Sequence, residues 1–117
     1  MTNFFDLPHE KLYAYQEARK LLGCMREACI TDGKLREQGA RAAMSVCLNI
    51  AEGCGRAGSA DKARVYAIPR GECCEAAAAL DIALLAGLCK NEPARSGAMH
   101  ARAVYALLSG LIRRFSS

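Results

Sequence analysis

A chain of 117 residues has the length of one domain, with enough side chains for a core and too few to divide in two. Tryptophan is absent, aromatics make up only 6% and alanine is abundant, a balance that favours closely packed helices over a β-sandwich built on aromatic and β-branched strands. Sixteen Lys and Arg against twelve Asp and Glu leave a net charge of +4, an excess compatible with nucleic acid but too small to demand it.

In chain order, Met1 to Pro8 reads as an irregular lead-in from which Phe4, Phe5 and Leu7 dock on the body of the protein, with Pro8 suited to a first helical turn. The first helix is expected over 9–29, where Leu12, Tyr15, Ala18, Leu22, Met25 and Cys29 recur at three- and four-residue spacing and Lys11, Glu17, Lys20 and Glu27 fall mostly outside. Thr31-Asp32-Gly33 forms a turn, with Asp32 as N-cap of a second helix over 33–52.

That second helix carries a polar line, Gln38, Arg41, Ser45, Asn49 and Glu52, beside an apolar stripe of Ala43, Val46 and Ile50. A polar line flanked by apolar residues faces a neighbouring helix. With the chain reversing near Arg56, Arg41 is expected opposite Glu72, pairing with Glu72 or Glu75, while Ser45 and Asn49 bond across the helix pair and fix its register. Gly53 ends the helix by taking a left-handed conformation. The loop Gly-Cys-Gly-Arg-Ala-Gly-Ser lacks the Lys-Ser/Thr ending and preceding strand of a phosphate-binding loop.

A third helix is expected over 60–88, with Ser59 as N-cap and Val65 or Tyr66, Pro69, Cys73, Ala76, Leu80, Ala83 and Gly87 facing inward. Pro69 removes the N–H that would bond the Val65 carbonyl, at a cost of about 3 kcal/mol. The helix is therefore expected to bend between Val65 and Cys73, with a break into two helices as the alternative. Asn91 caps a fourth helix over 93–115, whose Gly97, Ala101, Val104, Leu108, Leu111 and Phe115 alternate by four and three in a coiled-coil seam. Four helices with short loops give an all-α, antiparallel up-down-up-down four-helix bundle, a single domain over 1–117. Apolar residues beyond one stripe, such as Ile82, Leu84 and Leu85, point to a subunit interface.

Seven cysteines in an odd count, with no Cys-x-x-Cys pair, read as reduced small hydrophobes; Cys24, Cys29, Cys47, Cys73 and Cys89 lie in or beside apolar stripes. No Glu-x-x-His motif accompanies Glu72 and Glu75, His9 and His100 are expected at helix beginnings, and no histidine is placed to activate Ser45 or a cysteine. The chain is read as non-enzymatic, with no catalytic residues, metal ligands or cofactor. With neither a run of about 20 apolar residues nor a basic, apolar leader, it is expected in the cytoplasm, away from membranes.

Phe5-Asp6, Glu10-Lys11-Leu12 and Tyr15 in the first helical region, Gln38, Arg41-Ala42-Ala43, Ser45, Asn49-Ile50-Ala51-Glu52-Gly53 and Gly55-Arg56 in the second, and Asp61-Lys62-Ala63-Arg64, Tyr66-Ala67-Ile68 and Arg70-Gly71 in the third carry a family resemblance. The chain resembles the small four-helix-bundle proteins that include those encoded by intervening sequences of 23S ribosomal RNA and the accessory variability determinant proteins of diversity-generating retroelements. The match runs to about Leu80, and departs where Cys47 replaces a frequent proline and Pro69 an expected alanine. The resemblance implies a homopentamer that binds RNA or DNA and engages a reverse transcriptase or ribosomal partner.

The candidate phosphate contacts are Arg56, Lys62, Arg64 and Arg70 around the second loop, with Arg113 and Arg114 near the terminus. In an oligomer such a patch is repeated and its contacts add. The alternatives are a structural protein-protein interaction scaffold without nucleic-acid affinity and a metal or redox bundle using Glu72, Glu75 and the cysteines.

Overall fold

The computed structural model describes residues 6–116. Pro8 opens a 3-10 turn, Pro8–Lys11, and Leu12 is extended (φ −77, ψ 125) before α1 runs over Tyr13–Glu27. The first helix thus starts four residues later than the pattern implied. Leu12 packs against the core, and the Gln16 side-chain amide donates to the Glu10 carbonyl at 3.1 Å, tying turn to helix. Leu7 is exposed rather than docked, while Phe4 and Phe5 lie outside the described residues.

The end of α1 also departs from expectation. Cys29 takes a left-handed backbone conformation (φ 48) beyond the cap at Ala28, the place usually filled by glycine, and its side chain is exposed. The buried stripe of the helix is Ala14, Ala18, Leu21 and Met25, so Tyr15 and Leu22 lie at its edge.

Helix α2 covers Gly33–Cys54, capped by Asp32, whose carboxylate accepts from the Leu35 N–H at 2.9 Å. Helix α3 covers Ser59–Ala86, with Gly58 rather than Ser59 at the cap, and continues through Pro69 without separating into two helices. It stops at Gly87, which is not an inward position: Gly87 has φ 69, its N–H bonds the Leu84 carbonyl at 3.2 Å, and the Leu88 N–H reaches Ala83 at 2.9 Å. This is a Schellman ending, and it needs the left-handed residue that glycine supplies at no Cβ penalty. Helix α4 covers Asn91–Phe115, and Lys90 takes the cap position assigned to Asn91. The Lys90 N–H bonds the Ala28 carbonyl at 2.7 Å, holding Lys90 extended so that Asn91 already belongs to the helix.

The four antiparallel helices pack as a square, α1 against α2 and α4, and α3 against α2 and α4. At one end the α1–α2 and α3–α4 loops are joined, because the Thr31 N–H and hydroxyl both donate to Leu88 O while Lys90 bonds Ala28. The core interleaves Tyr66, Leu21, Ile30, Ile50, Leu80 and Leu108 with many alanines, and no polar or charged residue is buried among the described residues. On α4, Gly97, Ala101, Val104 and Leu108 are buried, while Leu111 and Phe115 are half-buried toward its C-terminal end. A Cβ on Gly97 would come 2.7 Å from Leu80 Cδ1 and 3.0 Å from Cys24 Cβ, so α4 lies close only because that residue has no side chain. Among the described residues, no helix is long and apolar enough to cross a membrane.

Candidate functional site

The α2–α3 turn holds three of the cations singled out in the sequence, and it uses them internally. Helix α2 does not stop at Gly53 but runs to Cys54, and its cap Gly55 is right-handed (φ −80). Gly53 is needed for space: an added Cβ would meet the Tyr66 ring at 2.8 Å. Burial there pushes the Tyr66 phenol well above its ordinary value, with a hydrogen bond to Cys54 as the second cause. Lys62 Nζ donates to the carbonyls of Cys54 at 2.7 Å and Gly53 at 3.4 Å, the last carbonyls of α2; that of Gly53 also accepts from the Arg56 N–H at 3.2 Å.

Arg56 pairs with Glu52 at 2.6 Å and with Asp61 at 3.3 Å, and Arg64 holds Asp61 at 2.6 Å. The Arg56 guanidinium is consequently held above its usual range, first by the Glu52 hydrogen bond and then by the Asp61 charge, and Asp61 is held below its own, first by Arg64. Arg70 lies away from this cluster: it donates to Ser109 Oγ at 3.3 Å and sits 5.6 Å from the Tyr105 ring. At the C-terminal end of α4, whose Phe115 stacks on Tyr66 beside the α2–α3 turn, Arg114 lies 5.5 Å from the Phe115 ring, and Arg113 is exposed.

The polar line of α2 is less buried and differently registered than the sequence implied. Arg41 bonds Glu37 on its own helix at 3.3 Å, not Glu72 or Glu75, and its side chain is 76% exposed. Asn49 reaches Glu72 instead, donating to its carboxylate at 2.8 Å. The displacement is about two helical turns. It arises because the first turn of α3 crosses the end of α2, with Lys62 on the Gly53 and Cys54 carbonyls and Tyr66 on Gly53, so later residues of α3 stand opposite each position of α2.

Ser45 makes no side-chain hydrogen bond among the described residues. It lines an open cleft with Gln38, Arg41, Glu72 and Glu75, where water can serve it. Glu52 belongs to the turn through Arg56. Of the polar line, therefore, one member crosses to α3.

Cys47 and Cys73 are buried, and burial pushes the Cys73 thiol up to about 11 while its sulfur donates to the Ala101 carbonyl at 3.0 Å. His100 stands in the middle of α4 rather than at its beginning; its Nδ1 lies 3.0 Å from Glu17 Oε1, and Lys20 takes the other oxygen of that carboxylate at 3.0 Å. The His100 hydrogen bond, followed by that of Lys20, holds Glu17 below the usual carboxylate value. Among the described residues no three His, Cys, Asp or Glu side chains gather to hold a metal ion.

Two exposed arginines escaped the sequence reading, Arg95 and Arg102, both on the outer side of α4 with Arg113. Their signal was present in the chain: after Glu92 there are four arginines and no acidic residue. No acid bonds to any of them among the described residues.

Comparison with curated proteins returns no match. The model for a family described as 23S rRNA-intervening sequence protein matches residues 10–110, a span that takes in α1, α2 and α3 entire and most of α4. With that match extending over nearly the whole bundle, the chain belongs to the 23S rRNA-intervening sequence protein family.

Proposed function

We propose that this protein is a non-enzymatic, homo-oligomeric adaptor, pentameric in its working form, that binds RNA or DNA through phosphate charge and presents it to a ribosomal or reverse-transcriptase-like partner in the cytoplasm. The observation that carries self-association is the apolar surface turned outward. Met44 and Leu48 are neighbours one turn apart on α2, and Ile82 and Leu85 are neighbours on α3, with Leu48 at 71% and Leu85 at 92% exposure. Covering a leucine of that kind is worth about 1.5–3 kcal/mol, and two such doublets on the outside of so small a protein favour a second copy over solvent. Net charge of +4 per chain then multiplies with copy number, which turns a weak attraction for phosphate into a useful one.

Light scattering of the purified protein, alone and with a structured RNA at low and moderate salt, tests both halves. The expected result is a mass near five times the 12.6 kDa chain, rising with RNA and losing that rise as salt increases. A monomer would overturn the assembly.

A second reading has its own support. Arg56, Lys62 and Arg64 are committed to carboxylates and carbonyls within the chain, which favours a protein scaffold without nucleic-acid affinity; an oligomer indifferent to RNA at low salt would establish it.

A further inference from the structure

The positive charge of this chain is not spread over it. Through Glu92 there are twelve Lys and Arg and twelve Asp and Glu, so the entire net charge of +4 resides in the residues that follow, which contain Arg95, Arg102, Arg113, Arg114 and no acid. All four belong to α4. At 100° per residue, Arg95 and Arg113 are five full turns apart and point the same way, with Arg102 about 20° from their line. Three guanidinium groups thus mark a straight row about 27 Å long, at intervals of about 10 and 17 Å.

Met99 and Ala106 fill the row between them, and all five residues are exposed, on the side of α4 turned away from α1 and α3. Arg95 and Arg113 make no hydrogen bond or ion pair among the described residues, and Arg102 only bonds the Ala98 carbonyl of its own helix at 3.4 Å. Arg70 and Tyr105 occupy the α3 side of the helix and His100 with Glu17 the α1 side, while Glu92 stands one turn before Arg95 without forming an ion pair with it.

We infer that the Arg95–Arg102–Arg113 row on α4, rather than the cluster at the α2–α3 turn, is the phosphate-contact surface of this protein, its ligand the backbone of a nucleic acid. The inference rests on the nucleic-acid half of the proposed function and gives it a location. A sugar-phosphate backbone suits the row because it asks only for cations at intervals along a line. An acidic protein partner would want an apolar centre in addition, and Met99 is the sole large apolar side chain on the row. The turn cluster cannot compete, since Arg56 and Arg64 would first have to leave Glu52 and Asp61. Three contacts per copy correspond to a slope of log affinity against log salt of about −2 for single strands.

The test titrates a fluorescein-labelled single-stranded RNA with the full-length protein at several salt concentrations, by anisotropy, and weighs each variant by light scattering. The variant R95Q/R102Q/R113Q is expected to lose at least about tenfold in affinity at low salt and most of its salt slope, at unchanged mass. R95K/R102K/R113K retains binding, because lysine supplies the charge. R56Q/R64Q stays within about twofold of the parent protein. Parent-like binding by the glutamine variant would overturn the inference and leave the proposed function standing; a change in its mass would overturn it too, making the row a contact between copies. Absence of RNA binding by the parent protein would remove the nucleic-acid half of the proposed function itself, and the row's role with it.

Discussion

The α2–α3 turn and the outer side of α4 are both rich in cations, yet their cations are in different physical states. At the turn, Arg56, Lys62 and Arg64 face Glu52, Asp61 and the last carbonyls of α2, and each is satisfied within the chain. On α4, Arg95, Arg102 and Arg113 face solvent and form no ion pair with an acid among the described residues. A cation already engaged by a carboxylate has spent its field locally, whereas one without a counter-charge projects it, and exposed pairs are in any case worth little to stability. Proximity of basic residues in the sequence is therefore a poor guide to a binding surface unless the acids around them are counted as well. The turn is built to hold the fold, and the row is not.

The largest expected effect follows from that division. Tyr66→Ala empties the space between Gly53 and Phe115 and should cost about 3–5 kcal/mol in chemical denaturation, whereas the three glutamine substitutions on the row should stay within about 0.5 kcal/mol each. Equal losses from both regions would erase the distinction. Next in size is Lys62→Met, which keeps the apolar stem but removes the donor from the α2 carbonyls. It should cost about 1 kcal/mol, visible as a lower denaturation midpoint with unchanged slope. A comparable loss of about 1 kcal/mol is expected for Asn49→Ala, and the double-mutant cycle with Glu72→Gln should show that the two residues are coupled. Arg41→Ala paired with Glu72→Gln should show no coupling, since Arg41 turns to Glu37.

Four helices, their order and most of the buried seam of α4 could be read from periodicity alone, because the three- and four-residue spacing of Ala101, Val104 and Leu108 is a local property. The extent of each helix was less legible. The start of α4 depends on a hydrogen bond from Lys90 to Ala28, more than sixty residues away in the chain, and the end of α1 on Cys29 accepting a conformation that usually belongs to glycine. Pairing across α2 and α3 was misjudged for a similar reason: a turn can be located from its glycines, but not the angle at which the next helix leaves it. Asn49 was recognised as crossing to a neighbour, and only the structure supplies Glu72 as its partner. For the candidate site the missing step was accounting. Arg113 was picked out by its position near the terminus, while Arg95 and Arg102 become visible once the acid-free run after Glu92 is noticed.

The smallest predicted effect concerns the side of α4 opposite in character to its row. There His100 bonds Glu17 of α1, and that carboxylate, further held by Lys20, titrates below its ordinary value of 4.5. A group whose value is lowered by folding stabilises the native state fully at pH values above 4.5, and loses that contribution as pH falls through the lowered native value. The advantage of the parent protein over Glu17→Gln should accordingly hold at neutral pH and narrow in acid below about pH 4.5. The row offers no such dependence, since an arginine keeps its charge throughout. Measured by denaturant midpoint from pH 7 to 3, the stability of R95Q/R102Q/R113Q should therefore run parallel to that of the parent protein while the Glu17→Gln curve converges on it. Convergence of the row variant instead would mean that a carboxylate does lie within reach of those arginines, and that α4 is neutralised like the turn.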